Sequence, residues 1–122
     1  MKRTAVFLGL AILFFVAPVY AHPPSDIKIT FDAGTKILQA VIAHNVSNPQ
    51  NHYIKKVDVA LNGKEVIEHS ISRQDNNDSQ TVSYLIPDVK EGDVLSVEGY
   101  CSISGKLTKV ITVKLGNELG VL

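Results

Sequence analysis

With 122 residues the chain has room for one domain and not two. Its 45% apolar and 20% charged residues exclude an intrinsically disordered chain. Twelve basic and twelve acidic side chains cancel, so there is no basic excess to displace counterions from phosphate, and nucleic acid is not an expected partner. A single cysteine excludes an internal disulfide, a CxxC redox pair and a four-cysteine metal site.

Residues 1–21 read as a secretory signal peptide. Lys2 and Arg3 form a positive head. The uncharged apolar run Ala5–Val16 would be about 18 Å long as a helix, short of a hydrocarbon core of roughly 30 Å. Pro18 breaks the helix, and Val19 and Ala21 are the small residues of a cleavage site. No cysteine lies near that point to carry a lipid. The expectation is a domain spanning residues 22–122, beginning at His22, periplasmic or secreted, with no membrane contact after cleavage. In an oxidising compartment an unpaired thiol is unusual, so Cys101 should be buried, bound or reactive.

From Ile27 onward the chain reads as short strands. Ile27, Ile29 and Phe31 alternate with polar residues. After the Asp32-Ala33-Gly34 turn, Ile37–His44 is a second, largely apolar strand. A polar loop with Pro49 leads to His52–Leu61, with Val57, Val59 and Leu61 on one face. Asn62-Gly63 is a type I′ hairpin signal, and Lys64–Ile71 returns. The Asp- and Asn-rich loop Ser72–Gln80 lacks calcium-loop spacing and reads as solvated. Val82, Tyr84 and Ile86 mark a fifth strand, Val94–Cys101 a sixth and Leu107–Leu115 a seventh. Seven short strands with frequent turns predict an all-β, seven-stranded immunoglobulin-like β-sandwich.

Strand parity then groups the unusual side chains. If consecutive strands run antiparallel, His44 ends strand two, His52 begins strand three and Cys101 ends strand six at the same rim. Strand one must start there, which brings in His22. His69 lies at a similar level but can face outward. A lone histidine is more often a surface residue, and a lone cysteine more often a small buried apolar group. Their shared location is what points to metal: three imidazoles and a thiolate suit iron, copper or zinc.

Two stretches carry a family resemblance. His52-Tyr53-Ile54-Lys55-Lys56-Val57-Asp58-Val59, running into Asn62-Gly63, resembles the His-Tyr-Ile strand and hairpin of superoxide reductases, the iron domain of desulfoferrodoxin and neelaredoxin. Val97-Glu98-Gly99-Tyr100-Cys101-Ser102-Ile103-Ser104-Gly105 is similar to that family's Tyr-Cys-Asn-x-His-Gly segment. The resemblance covers His22 to about Lys114. It implies a mononuclear non-haem iron with equatorial histidines and an axial cysteine thiolate. It also implies one-electron reduction of superoxide to hydrogen peroxide, with an external electron donor. Carried over by position, His22, His44 and His52 match equatorial ligands, and Cys101 matches the axial one.

The chain departs from that pattern at three places. Ser104 stands where the family has its fourth histidine. The loop between His44 and His52 is longer. Tyr20 and Ala21 replace a Glu-Lys pair whose lysine attracts the superoxide anion. Cleavage after Ala21 would free the α-amine of His22 as a further nitrogen donor. Two other readings therefore stay open: a non-catalytic copper- or zinc-binding protein, and a degenerate immunoglobulin-like interaction module. The electron donor and homo-oligomerisation are open as well.

Overall fold

The computed structural model describes residues 22–114. The expected signal peptide and Leu115 lie outside the described residues. Seven strands follow in order: β1 Asp26–Asp32, β2 Ile37–Ala43, β3 Ile54–Leu61, β4 Lys64–Ser70, β5 Ser79–Leu85, β6 Val94–Cys101 and β7 Lys106–Thr112. Among the described residues there is no helix, so none is long and apolar enough to cross a membrane. All pairings are antiparallel, within one sheet of order β1-β2-β5 and another of order β4-β3-β6-β7. The two sheets form the β-sandwich that the strand pattern predicts.

Period-two alternation builds the core. In β2, Leu38, Ala40 and Ile42 are buried while their neighbours are not. In β6, Leu95, Val97, Gly99 and Cys101 face inward. Ile27, Val57, Val59 and Val82 complete the contact between the sheets. Gly99 lets the sheets approach closely: a Cβ there would meet the Ile42 side chain at 3.3 Å and press it aside. The β3–β4 hairpin has Asn62 and Gly63 at φ of 51° and 83°, as a type I′ turn requires.

The register confirms the parity argument. Asp26 pairs with Ala43, Ala43 with Ser79, Ile54 with Cys101, and Lys56 with Ser70. The start of β1 and the ends of β2 and β6 therefore share one rim with the start of β3. Strand ends differ slightly from expectation. His44 follows β2, and His52 and Tyr53 precede β3, because loop contacts replace ladder pairing there.

One irregularity has a direct consequence for that rim. Ile54 pairs with Cys101 but Lys56 pairs with Tyr100, leaving Lys55 as an extra residue in β3. Strict alternation from Val57 and Val59 would turn Lys55 inward. The bulge shifts the phase, so Ile54 is fully buried and Lys55 is exposed. His52, two residues before Ile54, then projects from the same side as the core row.

A candidate metal centre

His44 extends the inward row Leu38-Ala40-Ile42 by one more step of two, which is why it is fully buried. Its backbone N–H donates to the Asp78 carbonyl at 2.9 Å, tying it to the loop before β5. His52 is held by a turn at Asn48, whose carbonyl accepts the His52 N–H at 3.0 Å. Tyr53 and Ser102 lock the next residue: Ser102 N–H donates to Tyr53 O at 2.8 Å, and Tyr53 N–H to Ser102 Oγ at 3.1 Å. His22 is carried by the segment leading into β1, where Pro24 is buried.

The three rings form a nearly equilateral triangle. Centroids lie 4.8 Å apart for His22–His44, 5.1 Å for His22–His52 and 4.9 Å for His44–His52. One nitrogen from each ring lies within 4.8 Å of the others, so the three could hold a metal ion. Nitrogens sharing one ion stand about 3–4 Å apart, a gap that small ring rotations close. Burial, then the neighbouring His44 and His22 imidazoles, hold the His52 pKa below its ordinary value. That favours the neutral ring, the form that ligates.

Cys101 is outside that group of three but touches it through His52. Its sulfur lies 3.2 Å from His52 Nε2. A nitrogen and a sulfur bound to one ion stand about 3.1–3.6 Å apart, so the pair fits a shared ion as well as a direct hydrogen bond. The Ile103 N–H also points at the sulfur, at 3.5 Å. Cys101 is unpaired and 2% exposed. Beyond the rings an open pocket of about 310 Å³ is lined by His22, Asn45, Val46, Ser47 and His52.

His69 and Ser104 are not part of the cluster. His69 is exposed on β4, where its Nδ1 lies 2.8 Å from the Tyr84 hydroxyl. Burial pushes the Tyr84 pKa up to about 12, so that hydroxyl stays protonated. Ser104 lies exposed on the turn between β6 and β7. All four expected ligands thus reach the rim, the three imidazoles as one group and the sulfur beside His52.

Gln74 is a site residue that sequence reasoning missed. It lies in the loop read as solvated, yet it is 1% exposed. Its Nε2 donates to the carbonyls of His44 at 2.8 Å and Asn76 at 2.9 Å. Its Oε1 accepts from Ile54 N–H at 3.2 Å and lies 2.8 Å from His44 Nδ1. Nothing in the composition of Ser72–Gln80 singles it out. The loop is shaped by Asp75, which accepts from Thr81 N–H and Gln80 Nε2, and by Asn76 Oδ1, which accepts from the N–H groups of Asp78 and Ser79.

Gly105 sets how closely the first residues seat. Its φ is +92°, and a Cβ there would lie 2.9 Å from Pro23 N. Gly105→Ala must therefore push away the segment that carries His22, besides straining the turn. Melting should show a loss of about 1–2 kcal/mol from the left-handed conformation alone. A zinc titration should show weakened binding. Unchanged zinc affinity would mean that His22 is not held through this contact.

No protein-family model matches the chain, and no curated protein matches it.

Proposed function

We propose that the chain is an exported mononuclear metal protein of superoxide reductase type, with His22, His44, His52 and Cys101 as ligands to iron. The observation that supports it best is the imidazole triangle with the Cys101 sulfur 3.2 Å from His52 Nε2. The resemblance of the His52–Val59 and Val97–Gly105 segments supplies the metal and the reaction. Ferrous iron would supply one electron to superoxide, and two protons from solvent complete hydrogen peroxide. An external donor of unknown identity restores the iron.

The protein's own groups have separable tasks. The buried Cys101 offers a soft, electron-rich donor shielded from oxidants. His44 would hold the ion from the core side, and His22 and His52 border the open pocket, which a small anion could enter. Asn45 and Ser47 line that pocket, and neither carries a positive charge to draw in the anion.

The exposed position of Ser104 favours a second reading: copper or zinc held by three histidines and a cysteine, without turnover. Protein purified from its native compartment discriminates. Stoichiometric iron, a thiolate-to-iron absorption band lost in Cys101→Ala, and superoxide consumption would support the first reading. Copper or zinc without superoxide consumption would overturn it in favour of the second. Retention of no metal would leave an interaction module.

A further inference from the structure

The hydrogen bonds of Gln74 decide which nitrogen of His44 faces the other two imidazoles. The amide nitrogen has two carbonyl acceptors, His44 O and Asn76 O, so its orientation is set. Its oxygen, already receiving Ile54 N–H, can only accept, so His44 Nδ1 must carry a proton. In a neutral ring the lone pair is then on Nε2. That atom faces His22, with the His22 carbonyl oxygen 3.3 Å away. The other two imidazoles stand around the same space.

We propose that Gln74 is the positioning residue of this centre: its buried amide holds His44 in the Nδ1–H tautomer and aims Nε2 at the ion. The proposal rests on the reading of the triangle as a metal site, and it adds a residue that no ligand pattern contains. All four hydrogen-bonding capacities of the amide are used, and both residues are essentially without solvent exposure. Water therefore offers no substitute acceptor for Nδ1–H. A neutral amide orients the ring without adding charge, whereas a carboxylate would make the imidazole a stronger donor.

The test uses 15N-labelled protein beginning at His22, first without metal. Imidazole nitrogen shifts should report His44 as the Nδ1–H tautomer. Gln74→Leu should give mixed tautomers and bind Zn(II) about 10–100-fold more weakly, the usual cost of losing such a partner. Gln74→Glu keeps an acceptor at Nδ1–H. It should restore the tautomer, while its second oxygen, set against the His44 and Asn76 carbonyls, lowers stability. An Nε2–H tautomer in the wild type would overturn the proposal even if Gln74→Leu does not fold. So would a folded Gln74→Glu in which His44 is the Nε2–H tautomer. Failure of the wild type to bind Zn(II), Cu(II) or Fe(II) would sink the metal reading instead, and the nitrogen shifts would still decide whether Gln74 controls His44.

Discussion

His44→Ala is expected to abolish metal binding, lowering affinity by at least two orders of magnitude, and to destabilise the fold at the same time. Most of the binding loss follows from geometry. His44 is the fully buried corner of the triangle, and His22 and His52 left alone are two half-exposed rings on separate loops. The stability loss follows from packing and from Gln74. Removing the imidazole opens a cavity at the end of the Leu38-Ala40-Ile42 row and takes one donor away from the Gln74 oxygen. A buried polar group that loses a partner costs about 1–3 kcal/mol. Isothermal titration with zinc reads the first effect, and denaturant unfolding of the metal-free protein reads the second. Zinc affinity within a few-fold of wild type would mean that the triangle is not a metal site.

Ile54→Ala should cost about 2–5 kcal/mol, the range for truncating a fully buried large aliphatic residue. Ile54 has no exposed surface and is the first β3 residue below His52. It pairs with Cys101 and donates its N–H to Gln74. The cavity would therefore form directly beneath the site. Leu38→Ala is the control: equally buried, but at the opposite end of β2 from His44, about 20 Å away at strand rise. Both variants should lower the midpoint of urea unfolding by similar amounts, but only Ile54→Ala should also weaken zinc binding. Equal loss of zinc affinity in both would show that binding follows global stability rather than the packing under the rim.

Much of the rim was legible because strand alternation and strand parity are arithmetic on sequence. Leu38-Ala40-Ile42-His44 and Leu95-Val97-Gly99-Cys101 are two inward rows, and each ends in a residue type able to ligate a metal. Antiparallel order places both ends together. Alternation counted back from Val59 and Val57 fails at β3, where it would have turned Lys55 inward; the bulge is set by pairing with β6, and its mark in the sequence is the two successive lysines between Ile54 and Val57. His69 shows the other limit. Parity places it near the rim, but on edge strand β4, opposite Val57, its ring lies at the open edge between the sheets and meets Tyr84 of β5 instead of the other imidazoles.

The sequence by itself determined the seven strands, the Asn62-Gly63 hairpin and the rim on which His22, His44, His52 and Cys101 meet. Those features depend on residue periods and turn chemistry, which are local. Only the tertiary structure decided that the imidazoles form a triangle with the sulfur to one side, that Ser104 and His69 stand apart, and that Gln74 is buried behind His44. These depend on how loops far apart in the chain satisfy one another's buried polar groups. No short-range pattern encodes that, because a glutamine in a polar loop reads the same whether it faces water or a histidine.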